Sequence, residues 1–155
     1  MNRGESLVSD DFFATNGLEA NFEAYRGQWI ILYFYPKDAT SGCTLEGQAF
    51  RDQYADFLAH DAIVFGVSRD SLTSHERFKA KQNFPFELIS DNDEKLCNRF
   101  GVIKMKSMYG KQYLGIERST FLIDPKGIIR HVWRNVKVKG HVAEVFAMLL
   151  SAKAL

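Results

Sequence analysis

The stretch Pro36-Lys-Asp-Ala-Thr-Ser-Gly-Cys43-Thr-Leu-Glu46 places a thiol where local context favours reactivity. An apolar run from Trp29 to Tyr35 stops at Pro36, and a helical pattern starts at about Cys43. The segment therefore joins the carboxyl end of a strand to the first turn of a helix, where ligands gather in open α/β sheets. Unpaired N–H groups and the positive end of the helix dipole face outward there. A free thiol titrates near about 8.5, and helix N-termini and nearby cations lower that value, favouring the nucleophilic thiolate. Gly42 lets another group approach without meeting a Cβ. Thr40, three residues before Cys43, has a hydroxyl able to accept from the thiol and donate to an incoming oxygen. Pro36 sets the direction in which the chain leaves the strand and brings no N–H of its own. The plain alternative is a structural cysteine, since free Cys is among the most buried residue types. Such a residue normally lies on the apolar face of an element, not behind a Thr-Ser-Gly entry, and the residues alone leave both readings standing.

The elements that must position this segment follow from hydrophobic pattern. Trp29–Tyr35 and Ala62–Ser68 are continuous β-branched and aromatic runs, the mark of strands buried on both faces. Between them a helix is predicted from about Cys43 to His60, with Phe50, Tyr54, Phe57 and Leu58 on one face and Arg51, Asp52, Gln53 and Asp56 on the other. Strand, helix and strand make a βαβ unit. A second helix is expected over Ser71–Gln82, a short strand over Phe86–Ser90, and a short helix over Asp91–Phe100 stopped by Gly101. Val102–Glu117 reads as loop with some strand. Ser119–Asp124 and Ile128–Trp133 flank Asp124-Pro-Lys-Gly127 and form a hairpin, and His141–Ser151 is an amphipathic closing helix. With no repeat and no linker, residues 1–155 read as one α/β domain.

Composition removes several function classes. Of 155 residues, 46% are hydrophobic and 25% charged, close to a globular average, so disordered and fibrous classes are excluded. A formal charge of +1 is too balanced for a general nucleic-acid binder. Two cysteines rule out a disulfide-rich scaffold and a Cys₄ zinc site. The opening Met1–Asp10 is polar, unlike a signal peptide, and the longest apolar run is too short to span a bilayer. A cytoplasmic address, off the membrane and with reduced thiols, is the expectation.

The stretch resembles the peroxiredoxin signature Pro-x-x-x-Thr/Ser-x-x-Cys, here Pro36, Thr40 and Cys43. Tyr33-Phe-Tyr-Pro-Lys37 and Gly42-Cys-Thr-Leu-Glu46 are similar to the bacterioferritin comigratory protein, or peroxiredoxin Q, branch. Likeness continues through Ile89-Ser-Asp91, Phe100-Gly-Val102 and Arg118-Ser-Thr-Phe-Leu-Ile-Asp124, nearly the whole chain. The resemblance implies a thioredoxin-like fold, with a central mixed sheet flanked by helices, and thiol-dependent reduction of hydrogen peroxide and organic hydroperoxides. It makes Cys43 the peroxidatic cysteine and Arg118 the active-site arginine. Thiolate attack on a peroxide gives a sulfenic acid, with the Thr40 hydroxyl, the Cys43 N–H and the Arg118 guanidinium stabilising the developing charge. Glu46, one turn after Cys43, would orient Arg118 bidentately, or is an ordinary acid favoured by the helix dipole. No metal, flavin or nucleotide is required.

Two departures stand out. Many members of the branch carry a resolving cysteine five residues after the peroxidatic one, where this chain has Gln48, and others carry it in the next helix, but Ser71–Asn83 has none. Cys97 remains, between Leu96 and Phe100, and reads as a small buried apolar residue. The expectation is a one-cysteine cycle resolved by an external thiol (thioredoxin, glutaredoxin or glutathione) in a monomer or weak homodimer, the alternative being resolution by Cys97. The usual Ala-Pro-x-Phe opening is also missing, so the first strands are expected to be abbreviated. Among other classes, a disulfide reductase needs Cys-x-x-Cys, and a Cys–His hydrolase needs a histidine beside Cys43. His60, His75, His131 and His141 each read as surface or partly buried, with His131 facing out. No two Cys or His ligands lie within five residues of each other, which argues against a metal site. A non-catalytic thioredoxin-fold binding module is the remaining alternative.

Overall fold

The structure, a computed structural model, describes residues 1–6 and 10–155, so residues 7–9 of the polar opening lie outside it. Among the described residues, nine strands and four α-helices run in the order β1 (Asp11–Ala14), β2 (Leu18–Asn21), β3 (Trp29–Phe34), α1 (Ser41–Ala59), β4 (Ala62–Ser68), α2 (Leu72–Gln82), β5 (Glu87–Ser90), α3 (Lys95–Arg99), β6 (Ile103–Met108), β7 (Lys111–Ile116), β8 (Ser119–Ile123), β9 (Ile129–Trp133) and α4 (His141–Lys153). Seven strands form one mixed sheet ordered β2-β1-β5-β4-β3-β8-β9. β3 runs parallel to β4 and β4 to β5, while β8 lies antiparallel to β3. Both parallel pairs are joined through a helix, as the βαβ pattern requires.

All six residues of β3 are buried. Successive side chains on a strand point to opposite faces, and β3 divides accordingly. Ile31, Tyr33 and Tyr35 join one core with Phe50, Phe57, Val145 and Leu149 from α1 and α4. Ile30, Leu32 and Phe34 join a second core with Phe12, Leu96, Phe100 and Phe121. A strand between two cores has no solvated side, hence its unbroken apolar sequence.

Three expectations need correction. Val102–Glu117 is not loop but a regular hairpin, pairing Ile103 with Ile116 through Met108 with Lys111. Its two-residue turn, Tyr109-Gly110, has positive φ at both positions (52° and 77°), the geometry that matches strand twist. The pattern was obscured because Met105, Met108, Tyr113 and Leu114 are exposed, so no apolar face marks the period. Leu58, expected on the buried face of α1, is 50% exposed. Helix α3 begins only at Lys95, because Asp91–Glu94 turn first and the Asp91 carboxylate accepts from the N–H groups of Leu96 and Cys97 at 3.0 and 2.7 Å. At the start of the chain, β1 and β2 have four residues each and pair antiparallel.

Candidate active site

Helix α1 places the thiol. Thr40 is its N-cap, with φ −78° and ψ 157°, and the Thr44 N–H donates to the Thr40 carbonyl at 2.9 Å. Cys43 is the third helical residue, so its N–H precedes the intrahelical ladder. The residue is only 2% exposed. Thr40 is exposed, and its hydroxyl donates to the Lys37 carbonyl at 2.8 Å. Pro36 is half-buried where the chain leaves β3.

Sheet register delivers the arginine. Phe34 at the end of β3 pairs with Ser119 at the start of β8, so residue 118 lies beside the chain leaving β3. The Val136 N–H donates to the Arg118 carbonyl at 3.0 Å. The guanidinium Nη2 then lies 3.5 Å from Cys43 Sγ, and Nη1 donates to Glu46 Oε1 at 2.7 Å. Gly42 permits this approach, since a Cβ there would sit 3.1 Å from Nη2. Sequence distance hides the pairing, because Arg118 and Cys43 are 75 residues apart.

Glu46 departs from both sequence readings. It is fully buried, not a solvated first-turn acid, and it holds Arg118 by one oxygen, not by a fork. Its Oε2 is buried with no hydrogen-bond partner among the described residues. Burial pushes its pKa up to about 7, against the charge and hydrogen bond of Arg118. Burial works against the Arg118 charge as well, but Glu46 and Cys43 outweigh it and the guanidinium pKa lies above its ordinary value. A shallow cleft of about 360 Å³ opens beside Arg118, bounded by Pro36, Lys104, Met105, Lys106 and Asn135.

The second cysteine is remote in kind. Cys97 is fully buried in the core that contains Leu32 and Phe34, whereas Cys43 packs with Tyr33 and Tyr35. The sheet stands between them, and both thiols are free. Burial, then a hydrogen bond to Asp91, pushes the Cys97 thiol pKa well up, so it remains protonated.

The histidine expectation is corrected at two positions. His75 is fully buried and His141 is 3% exposed, because each has a polar partner in the core. His141 Nε2 shares a hydrogen bond with Thr120 Oγ1 at 2.8 Å, and burial pulls its pKa down to about 4. His75 Nδ1 lies 2.7 Å from Asp38 Oδ2 and Nε2 lies 2.9 Å from the Ile89 carbonyl. His131, expected to face out, is half-buried with its ring 4.3 Å from that of Trp133. The fold also gathers Asp38, Asp70 and His75 with ligand-type atoms within 4.8 Å of one another, a grouping that spacing along the chain does not reveal. These groups are tied by hydrogen bonds: Asp70 Oδ2 accepts from the Asp38 N–H at 2.9 Å and from Ser68 Oγ at 2.6 Å.

The AhpC/TSA family profile matches residues 9–132. Peroxiredoxin Bcp of Xanthomonas campestris pv. campestris is 53% identical over 135 residues, 87% of this chain and 84% of that protein. Peroxiredoxin Bcp of Bacillus subtilis is 50% identical over 146 residues, 94% of this chain and 93% of that protein. A solved structure of the Xanthomonas campestris bacterioferritin comigratory protein, studied for its alkyl peroxide reduction activity, superposes with a TM-score of 0.91 at 46% identity, covering 98% of this chain and 99% of that one.

Proposed function

The chain belongs to the AhpC/TSA family and is a thiol peroxidase of thioredoxin-like fold, and we propose that Cys43 is the sulfur it oxidises. The observation that carries this assignment is the Arg118 guanidinium, 3.5 Å from Cys43 Sγ and held by buried Glu46 at 2.7 Å. A fixed cation against a sulfur in the first turn of a helix puts positive charge where the reaction develops negative charge. Hydrogen peroxide and organic hydroperoxides are the substrates. The thiolate attacks the terminal peroxide oxygen, the S–O bond forms as the O–O bond breaks to leave Cys43 as a sulfenic acid, and the departing alkoxide or hydroxide takes a proton from water to leave as alcohol or water. Arg118 and the Cys43 N–H act as preorganised donors where charge develops. Thr40 contributes if its hydroxyl exchanges the Lys37 carbonyl for the peroxide, while Pro36 keeps one wall of the approach free of a competing N–H.

Resolution comes from outside the chain. An external thiol attacks the sulfenic sulfur and expels water, and a second thiol then releases Cys43 in reduced form. Burial of Cys97 in the opposite core supports this one-cysteine cycle over an internal disulfide. The reductant is a thioredoxin-like or glutaredoxin-like dithiol, or a small thiol, and the protein works as one unit over residues 1–155, as a monomer or weak homodimer. No helix among the described residues is long and apolar enough to cross a membrane, and two free thiols suit a reducing compartment such as the cytoplasm.

Peroxide consumption with dithiothreitol as reductant tests the assignment. Cys43→Ser should abolish turnover with an unchanged circular dichroism spectrum, because the hydroxyl replaces the sulfur at similar volume but is a far poorer nucleophile at neutral pH. Undiminished turnover in the variant removes Cys43 from the role.

A further inference from the structure

Two residues after Pro36 and five before Cys43, Asp38 points into the protein and is 7% exposed. Tyr35, the last residue of the buried run, donates its hydroxyl to Asp38 Oδ1 at 2.6 Å. Ser74 Oγ and His75 Nδ1, from the first turn of α2, both lie 2.7 Å from Oδ2. The Asp38 N–H donates to Asp70 Oδ2 at 2.9 Å. His75 carries the tie onward to β5, with Nε2 2.9 Å from the Ile89 carbonyl. The fully buried ring of His75 is thus held on both nitrogens, by the Asp38 carboxylate on one side and the Ile89 carbonyl on the other. Burial raises the Asp38 pKa, but His75, Tyr35 and Ser74 outweigh it and hold the carboxyl below its ordinary value.

The residue that follows explains why such an anchor is needed. Ala39 has φ +63°, a left-handed conformation that a residue with a Cβ adopts only where its surroundings impose it. Ala39 leads directly into Thr40, the N-cap of the helix that carries Cys43. Asp38, fixed by three side chains and one backbone bond, imposes that turn.

We propose that His75, acting through Asp38, is a positioning residue of the active-site segment: the buried pair locks the turn at residues 38–39 and so sets Cys43 against Arg118. The proposal rests on Cys43 being the reacting sulfur. Neither His75 nor Asp38 touches the reacting atoms, and both act through backbone geometry.

Two readouts on the full-length protein test it. The first is the rate of Cys43 oxidation by hydrogen peroxide in a single turnover. The second is the rate of labelling of Cys43 and of Cys97 by a bulky maleimide, resolved by mass spectrometry of peptides. In Asp38→Asn and His75→Gln, Cys43 oxidation should slow by on the order of tenfold or more, as displacement of a reacting group does. Labelling of Cys43 should quicken by a similar factor while Cys97, in the opposite core, labels at the wild-type rate. General destabilisation would raise both labelling rates together, and that result overturns the proposal, as does wild-type oxidation with wild-type labelling. If those variants do not fold, Ser74→Ala and Tyr35→Phe, each removing one hydrogen bond to the Asp38 carboxylate, carry the same comparison with smaller changes. Absence of Cys43-dependent peroxide consumption in the unaltered protein would count against the peroxidase site alone, because the labelling ratio reads the clamp without turnover.

Discussion

Two demands collide at Glu46. To hold Arg118 it must be charged, yet it is fully buried and one of its oxygens has no partner among the described residues. Burial wins enough to push its pKa up to about 7. A carboxyl whose folded pKa lies above the unfolded value stabilises the protein below that unfolded value, and the stabilisation is lost as pH rises through the folded one. The window therefore runs from about 4.5 to about 7. Glu46→Gln removes the titration while preserving shape. Urea unfolding at pH 5 and pH 8 should show the unaltered protein losing stability relative to the variant by on the order of 3 kcal/mol across that interval. A constant difference between the two proteins at both pH values would show that Glu46 does not titrate there.

Among the elements, helix α1 and the chain entering strand β8 make the site together, because the sulfur lies on the first and Arg118 directly precedes the second. Their meeting point is Gly42, where the absent side chain admits the guanidinium. Gly42→Ala puts a Cβ 3.1 Å from Arg118 Nη2 and forces the arginine aside by a few tenths of an ångström. Alanine is also the better helix former, by up to about 1 kcal/mol. The variant should thus be as stable as the unaltered protein, or more so, while oxidation of Cys43 slows by on the order of tenfold. Loss of stability and activity in parallel would mean that the glycine serves the helix and not the site. Hairpin β6–β7 contributes Lys104, Met105 and Lys106 to the cleft beside Arg118, although its exposed strands gave no period by which to foresee it.

Across the whole molecule, the central sheet is a partition between two cores, with one cysteine on each side. Linking the sulfurs would require that partition to open. One equivalent of peroxide should therefore yield sulfenic acid at Cys43, or its adduct with an added thiol, and no Cys43–Cys97 bridge in non-reducing mass spectrometry. Cys97→Ser should keep its turnover with dithiothreitol. It should lose about 1–3 kcal/mol of stability, since a hydroxyl desolvates less readily than a thiol in an apolar core. An internal disulfide, together with a collapse of turnover in that variant, would replace the one-cysteine cycle with a two-cysteine one.

The local signals were strong because they depend on neighbours in the chain. The apolar run of β3, the entry to α1 with Thr40, Gly42 and Cys43, and the turn at Asp124–Gly127 each declare themselves within a dozen or so residues. Arg118 was legible only through likeness to a family, since nothing in its own surroundings separates it from a surface charge. What tertiary structure alone decided is every relation across the sheet. It set the register that brings residue 118 to the sulfur and the single-oxygen grip of Glu46. It also put Cys97 on the opposite face, and it built the buried Asp38–His75 pair across 37 residues of chain. Such relations depend on strand pairing and on which face of the sheet a side chain enters, and neither is encoded in the spacing of residues along one segment.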